Sequence, residues 1–208
     1  MCFVGIESYD LILYLCRTLN ALGCSTACID NSRDKSLAWA VPGGVADGAA
    51  ASYQNTDFAA GVDATVFVGK SDYVFVYCGF SLNGAMACNA EEVYVVTDYQ
   101  VHHLEALCAL KIQPEAFPFL IVRERVTSKL KPEFVMEYLQ DFNFNQDNTF
   151  VLEDGLQDLE AKILCQNTDN YTFNKVSQGI RDFVVQALSV DFGTKEITAA
   201  FKTASRRV

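Results

Sequence analysis

The chain reads Tyr73-Val74-Phe75-Val76-Tyr77-Cys78, an almost continuously apolar and aromatic run. Such a run predicts a β-strand that helices cover on both faces, as in a parallel sheet. The stretch Glu92-Val93-Tyr94-Val95-Val96-Thr97 has the same character. Further short apolar runs lie at residues 2–6, 25–29, 117–122 and 149–152. Together these runs indicate a sheet whose strands are mostly buried on both sides.

Segments with helical periodicity alternate with the strands. Leucines recur at helical spacing in residues 10–22, and Gly23 predicts the end of that helix. The other helical patterns cover residues 101–108, 132–139 and 176–188, and we expect Gly193 to end the last of them. The alternation predicts an α/β protein with three layers, α/β/α, around a mainly parallel central sheet of six to seven strands.

Residues 42–63 show neither periodicity. They are rich in glycine, alanine and polar residues, and the stretches Pro42-Gly43-Gly44 and Asp47-Gly48 are turn signals. We therefore predict a loop over the sheet edge, and the least regular part of the chain.

Composition and charge exclude several classes of protein. Hydrophobic residues make up 50% and charged residues 20% of the 208 residues, which excludes a disordered chain or a coiled coil. Sixteen Lys and Arg stand against 26 Asp and Glu, a formal net charge of −10, which argues against nucleic acid as a partner of the bulk surface. The sequence has neither a run of about 18 apolar residues nor the pattern of a signal peptide at Met1, so we expect a cytoplasmic protein.

The cysteines and histidines do not form a pattern typical of a metal site. The eight cysteines are at positions 2, 16, 24, 28, 78, 88, 108 and 165. Most fall in apolar segments, which indicates reduced, buried thiols, and Cys24 and Cys28 have the wrong spacing for a zinc or redox pair. His102 and His103 are adjacent, so on a helix they point about 100° apart and cannot chelate one ion. We expect one to be exposed and the other half-buried.

The turn after the first strand is the place to look for a ligand, because ligands bind at the carboxyl ends of parallel strands. It reads Gly5-Ile6-Glu7-Ser8-Tyr9-Asp10. A phosphate-binding loop needs several small residues, a lysine and a Ser or Thr for magnesium. Here there is one glycine, and no lysine occurs in residues 1–34. Glu7 and Asp10 flank the helix start instead, where they repel an anion, and Ser8 is predicted to be the N-cap.

The order of elements over roughly residues 1–190 resembles the MinD/ParA-like branch of P-loop ATPases, including the ATPase-like components of Flp (tight-adherence) pilus assembly. The stretch 72–79 resembles the family strand Asp-Tyr-Val-x-Ile-Asp, whose second Asp organises the magnesium-bound water. This chain has Tyr77 at that position. The strand that ends in Asp30 looks like the second strand of the family.

Two later segments extend the resemblance. Residues 92–98 resemble the family strand that leads into a partner-facing helix. Residues 122–126 fall where the family often has Asn-Arg at its base-binding edge, although the Asn is missing here. The lysines of the deviant Walker A loop and the acidic strand end are also missing, so the resemblance implies a P-loop NTPase-like domain without ATP hydrolysis.

The candidate site is therefore a degenerate phosphate-loop position together with neighbouring strand ends. Its residues are Gly5, Glu7, Ser8, Tyr9 and Asp10 in the loop, with Asp30, Tyr77 and Gly79 at strand ends. We expect no catalytic residue, no metal and no cofactor, with ATP and magnesium as the alternative. Lys70 precedes the strand that begins at Tyr73, and one lysine at that strand end does not make a phosphate site.

The resemblance implies a bacterial scaffold or regulatory subunit, in pilus assembly, secretion or other cell-surface machinery. Its partners would be proteins, either a second copy or a related ATPase. Two alternatives stay open at this point. One is an ATPase whose lysine comes from a partner subunit, and the other is a small-molecule binding domain with residues 43–63 as a lid.

The C-terminal segment differs from the predicted domain of residues 1–190. Residues 191–208 carry four basic and two acidic side chains. Their apolar residues at positions 197, 200, 201 and 204 follow helical spacing. This basic amphipathic tail would make a weak membrane contact through residues 194–207 at the inner face of the membrane, dock on a partner, or pack as a terminal helix.

Two further stretches have simpler interpretations than chemistry. Residues 153–160 are acidic, but Leu156 and Leu159 interrupt the spacing that calcium ligands need, so we predict a capped helix start. Asp98 is interpreted as a cap of the following helix. The turn at residues 78–81 ends a strand, where nucleophiles occur, but the chain lacks the Gly-x-Ser-x-Gly elbow of a hydrolase.

Overall fold

The computed structural model describes residues 1–81, 90–110, 118–123, 129–168 and 172–206. Predictions for Cys88, Phe117, residues 124–126 and Arg207 lie outside the described residues. The strands are β1 (Cys2–Gly5), β2 (Thr26–Asp30), β3 (Ala50–Tyr53), β4 (Thr56–Ala60), β5 (Tyr73–Gly79), β6 (Val93–Thr97), β7 (Phe119–Val122) and β8 (Thr149–Val151). The helices are α1 (Tyr9–Ala21), α2 (Val101–Ala109), α3 (Pro132–Tyr138), α4 (Leu156–Asn167), α5 (Gln178–Leu188) and α6 (Thr194–Ala204). Short 3-10 helices lie at Ala38–Ala40, Ala64–Val66 and Gln140–Phe142.

The strands form one sheet in the order β3-β4-β2-β5-β1-β6-β7-β8. All neighbours are parallel except β3 and β4, which form an antiparallel hairpin at one edge. The predicted α/β fold with a mainly parallel sheet is confirmed. The described residues form eight strands, however, not six to seven. All strands except β3 and β4 coincide with the predicted runs to within a residue or two.

The hairpin corrects the prediction for residues 42–63, of which 50–60 are regular. Gln54 and Asn55 both have positive φ, as a two-residue hairpin turn requires. Exposure in β3 alternates with every second residue, as expected for an edge strand. The strand pattern is hard to see in the sequence because alanine and polar residues replace the usual β-branched ones.

Helices cover both faces of the sheet. On one face, α1, α4, α5 and α6 pack against aromatic strand residues that include Phe3, Phe75 and Tyr94. On the other face, α2 and α3 pack against smaller side chains such as Val4 and Val95. Successive strand residues therefore enter opposite cores, which explains why the strands read as continuous apolar runs. In α2, Leu104 and Leu107 of the predicted helical pattern are buried, whereas Val101 and Cys108 are exposed.

The C-terminal helix is part of the main core. Gly193 does not end the preceding helix, which stops at Leu188, but is the N-cap residue of α6. The predicted apolar residues Ile197, Ala200, Phe201 and Ala204 are all buried. Helix α6 packs against α1, and the Phe201 ring meets the edge of Phe173 at 5.3 Å between centroids. Of the three alternatives for this tail, the structure has the packed terminal helix, and the apolar side chains that would have met a membrane or a partner are covered by the protein itself.

Cysteines and membrane segments complete the description. The seven described cysteines are free thiols, five of them buried. In the part of the chain that the structure describes, no helix combines the length and the apolar character needed to cross a membrane.

Candidate site at the carboxyl edge of the sheet

The connection between β1 and α1 is very short. Strand β1 ends at Gly5 and α1 begins at Tyr9, so only residues 6–8 join them. A phosphate-binding loop of the Gly-x4-Gly-Lys-Ser/Thr type takes about eight residues. Gly5 has φ +108°, and a Cβ there would lie 2.0 Å from the Val96 carbonyl oxygen. The backbone of the turn is therefore pressed against β6.

A buried guanidinium occupies the space beside this turn. Arg123 follows β7, and only 2% of its side chain is exposed. Its Nη1 and Nη2 donate to the two carboxylate oxygens of Asp10 at 2.8 and 2.9 Å. Its Nε and Nη2 donate to Asp154 at 2.9 and 3.2 Å, and Nη1 also donates to the Glu7 carbonyl at 3.2 Å. We call Asp10, Arg123 and Asp154 the arginine cluster.

The charged groups of the arginine cluster pair with one another. Burial alone would lower the pKa of the Arg123 guanidinium, but attraction and hydrogen bonding from Asp10, and then from Asp154, outweigh it and raise that pKa. With all three groups ionised the cluster carries one net negative charge. Asp10 lies in the first turn of α1, where a helix would otherwise offer its positive end to an anion. The guanidinium is thus committed to carboxylates of the chain itself.

A pocket of about 970 Å³ opens on the other side of the turn, at the ends of β1, β5 and β6. Its lining includes the acids Glu7, Asp34 and Asp98 and the cations Arg33 and Lys162. Lys162 Nζ lies 3.3 Å from a carboxylate oxygen of Glu7. The Lys and Arg residues that line the pocket come from after β2 and from α4, so each is distant in sequence from the turn.

His103 and Asp98 form a second pair on the pocket wall. His103 Nδ1 lies 2.9 Å from an oxygen of Asp98, which is buried and also accepts from the backbone and side chain of Gln100. The carboxylate and the imidazole nitrogen are therefore within hydrogen-bonding distance of each other. Phe80 stacks on the imidazole at 5.6 Å between centroids. Asp98 is therefore not the N-cap residue of α2, which is Gln100, but its carboxylate accepts from the Gln100 N–H and orients the histidine.

Comparison with known proteins adds the fold family. No protein-family model matches the chain, and no curated protein matches it. Among solved structures, it is similar to a chain of the MinC:MinD cell division protein complex of Aquifex aeolicus, with TM-score 0.61 and 13% identity over 92% of this chain and 97% of that one. The fold is that of the MinD/ParA ATPases.

Two other structures support the same fold. MinD of Aquifex aeolicus has TM-score 0.52 and 13% identity, and the match covers 99% of this chain and 94% of that one. A putative plasmid partition protein of Borrelia burgdorferi, bound to AMPPNP, has TM-score 0.53 and 12% identity over 97% of this chain and 98% of that one. The predicted similarity to MinD/ParA proteins is confirmed for the fold.

The residues of the predicted phosphate loop make contacts within the protein. Ser8 is the N-cap residue, but its side chain makes no capping bond, and its buried Oγ has no hydrogen-bond partner within the described residues. The Tyr9 hydroxyl donates to the Lys162 carbonyl at 3.1 Å, and burial raises the pKa of Tyr9. Glu7 lines the pocket, and half of its side chain is exposed.

The predicted strand-end residues lie around the open side. The Asp30 carboxylate accepts hydrogen bonds from the Ser32 backbone and hydroxyl and from the Ala38 backbone. Burial raises the pKa of Asp30, and these bonds oppose the rise. These hydrogen bonds to Asp30 stabilise the conformation of the loop that carries Arg33. Tyr77 and Gly79 line the pocket, and burial raises the pKa of the Tyr77 phenol.

Sequence reasoning missed the arginine cluster and Lys162. The position of Arg123 directly after a predicted strand was a usable signal, because carboxyl ends of parallel strands share an edge. Nothing in the sequence marked Lys162, whose place depends on how α4 packs. Lys70 lies just before β5, away from this edge. The acidic stretch 153–160 does contain the predicted capped helix start, since Asp158 accepts from the Gly155 N–H at 2.8 Å.

The predicted lid is not part of the pocket wall. Residues 43–63 do not occur among the described residues that line the pocket. They form instead the hairpin at the β3 edge and its approach, where Lys35 Nζ pairs with Asp47 at 3.1 Å. Residues 33–34 and Lys162 do line the pocket.

Proposed function

We propose that the chain is a non-hydrolysing scaffold or regulatory subunit with the MinD/ParA fold. The observation that carries the proposal is the arginine cluster, which lies with the three-residue turn where a MinD/ParA protein would be expected to hold phosphate. The proposal extends to the setting of pilus assembly, secretion or other cell-surface machinery.

Phosphoryl transfer requires positioning, charge neutralisation and an oriented water. The turn itself, residues 6–8, contains no lysine, Lys162 of α4 pairs with Glu7, and the Arg123 guanidinium is held by two carboxylates. Tyr77, at the strand position of the magnesium-organising Asp, is a buried phenol that does not ionise near neutral pH. Each requirement is therefore unmet by the residues nearest to the turn.

A protein partner is part of the proposal. One of the similar structures is a MinC:MinD complex, so a protein with this fold assembles with another protein. The core of the fold needs none of the phosphate-binding residues, so the scaffold can persist while its surface serves assembly. A homodimer here would need contacts other than bound nucleotide.

Isothermal titration of the full chain with ATP and magnesium tests the proposal. We expect no saturable heat at millimolar nucleotide and no phosphate release, with or without a candidate partner protein. Micromolar binding with turnover would refute it. If binding were found, Lys162→Gln and Arg33→Gln, with Lys70→Gln as the matched control away from the edge, would show whether the pocket cations are responsible.

The pocket favours a second candidate function, binding of a small molecule. Its volume of about 970 Å³ lies at the upper end of ligand-site volumes, and its charged groups are largely paired on the walls. Compounds that raise the melting temperature in a small-molecule screen should protect residues 77–81 and 98–103 from hydrogen exchange. Protection restricted to residues 43–63 would contradict this location.

A further inference from the structure

A groove lies between helices α5 and α6. The two helices pack against each other, and the groove along their contact has a volume of about 340 Å³. Val185 and Phe201 form the apolar part of its lining, and Thr194 and Thr198 add hydroxyl groups. Its described lining has no residue in common with that of the pocket at the sheet edge. The groove therefore has the size of a separate site for a small ligand.

The lining of the groove carries more positive than negative charge. Its cations are Arg181, Lys202 and Arg206, and Asp182 is the one carboxylate among its described lining residues. Asp182 accepts a hydrogen bond from Gln178 Nε2 at 2.7 Å. The whole chain, in contrast, has a formal net charge of −10. The groove therefore attracts anions that most of the surface repels.

The charged residues described beside the groove do not cancel this surplus. Lys175 and Glu160 lie together in a neighbouring cavity, and on α6 Lys195 directly precedes Glu196. Each of these carboxylates is accompanied by a cation. The surplus of positive charge is therefore a property of the lining itself.

The groove cations are positioned without being neutralised. Arg181 Nε donates to the Val176 carbonyl at 3.1 Å, and its Nη2 donates to the Asn174 carbonyl at 2.7 Å. Carbonyl oxygens orient the guanidinium but carry no net charge. None of the described carboxylates lies at salt-bridge distance from Arg181, Lys202 or Arg206. Unlike the guanidinium of the arginine cluster, these cations can pair with an external anion without breaking an internal ion pair.

Helix stability accounts for only part of this arrangement. Lys202 lies in the last turn of α6, where the helix dipole favours a cation. Arg181 is the fourth residue of α5, near the end where the dipole favours an anion instead. An anion in the groove would be attracted by both side chains and by this end of α5.

We propose that the groove between α5 and α6 binds a small organic anion. Its charged head group pairs with Arg181, Lys202 and Arg206, and its apolar body lies against Val185 and Phe201. Carboxylate and phosphate head groups share this chemistry, because arginine and lysine bind both. The proposal does not rest on the proposed scaffold function, since the groove lies outside the candidate site at the sheet edge.

An NMR titration of the isotope-labelled full chain tests this proposal. The probes are phenyl phosphate and phenylacetate, with phenylethanol as the neutral analogue and inorganic phosphate as the head group alone. We expect saturable shifts of amide signals in α5 and α6 with both organic anions, with a Kd of about 1 mM for molecules of this size. Binding should weaken as salt is added. The anion that binds more tightly identifies the head group that the groove prefers.

Two charge variants locate the binding site. Lys202→Gln/Arg206→Gln removes two exposed cations of the lining and should weaken binding of both organic anions at least about tenfold. Lys70→Gln/Lys131→Gln removes the same charge at exposed positions outside the groove and should change the Kd by less than about twofold.

A second pair of variants tests the apolar part of the lining. Val185→Phe places a ring in the groove and keeps every cation, so it should also weaken binding of both organic anions. Val66→Phe is the matched control, because Val66 is 48% exposed and lies outside the groove. Thermal unfolding of each variant shows that a loss of binding is not a loss of the fold.

Several outcomes would overturn the proposal. One is equal binding of phenylethanol, and another is unchanged binding in Lys202→Gln/Arg206→Gln. Inorganic phosphate that binds as tightly as phenyl phosphate would show that the apolar lining takes no part. Shifts confined to residues 98–103 would place the ligand at the sheet edge instead. The absence of saturable shifts with both organic anions at about 10 mM would also contradict it.

Discussion

The two sides of the β1 turn differ in how their charged groups are stabilised. On the side of β7 and β8, Arg123 and its two carboxylates are buried and fill the space between the strand ends. On the side of β5 and β6, the charged groups pair across the walls of an open pocket, as Lys162 and Glu7 do at 3.3 Å. A buried charge must be matched by the protein, whereas a charge at a wet pocket wall is also stabilised by water. Removing a cation should therefore lower the free energy of unfolding more on the buried side than on the open side.

The largest expected effect is on the buried side. Arg123→Met should lower the free energy of unfolding by about 3–5 kcal/mol, because two carboxylates are left buried without a counter-charge. Lys162→Met is the matched control on the open side, where Glu7 is half-exposed, and should cost at most about 1 kcal/mol. Urea unfolding followed by circular dichroism measures both.

If Arg123→Met does not fold, a compensated variant keeps the comparison measurable. Asp10→Leu/Arg123→Met/Asp154→Leu replaces all three charges with apolar groups and should be closer in stability to the natural chain than Arg123→Met is. A triple variant less stable than the single one would show that the arginine cluster stabilises by more than mutual neutralisation.

The next largest effect is a difference in stability between alanine substitutions at two glycines, Gly5 and Gly79. Gly5→Ala combines positive φ with a Cβ 2.0 Å from a backbone oxygen, and we expect a loss of about 3 kcal/mol. Gly79→Ala also has positive φ, but its Cβ would meet the Ser32 side chain at 3.2 Å, and we expect about 1 kcal/mol. Thermal and urea unfolding should rank the two variants in this order, and the reverse order would mean that the turn can move away from β6.

The smallest effect is a pH dependence at Asp30, which is buried at the end of β2. Burial raises the pKa of Asp30, so its contribution to stability is complete below the ordinary value of 3.8 and is lost as pH rises through the raised value. The stability difference between the natural chain and Asp30→Asn should therefore shrink as pH increases above about 4, by no more than about 1.4 kcal/mol per pH unit.

Asp63→Asn provides a control of opposite sign. Hydrogen bonds from the backbone and then the hydroxyl of Thr65 lower the pKa of Asp63, so the stability that Asp63 provides is present above its ordinary pKa and lost as pH falls. Urea unfolding at several pH values gives the stability difference between the natural chain and each variant. This difference should change with pH in opposite directions for Asp30→Asn and Asp63→Asn. If both stability differences changed with pH in the same way, burial would not be raising the pKa of Asp30.

Much of the fold could be predicted because local patterns determine it. The runs at β5 and β6 are apolar on almost every residue, and in a chain of this composition that pattern is typical of a strand buried on both faces. The hairpin of β3 and β4 was missed because an edge strand needs little apolar surface, and residues 50–60 provide little. Helix α6 was predicted from its spacing, but whether its apolar face meets α1 or solvent depends on packing.

The site was less predictable because its contacts join distant parts of the chain. Arg123 is 113 positions from Asp10 and 31 from Asp154, and no short motif marks such an arrangement. The sequence did indicate that Glu7 and Asp10 make the turn unsuitable for an anion. It could not show that a guanidinium from β7 would neutralise Asp10, because that depends on the order of strands in the sheet.

The shortness of the β1 connection limits how the protein can change. Substitutions at residues 6–8 can alter charge, but they cannot add the backbone N–H groups that surround a triphosphate. Acquiring a nucleotide site here would require several inserted residues, together with displacement of Arg123 and retreat of Gly5 from Val96. A nucleotide site at this position would therefore need a change in chain length as well as in residue type.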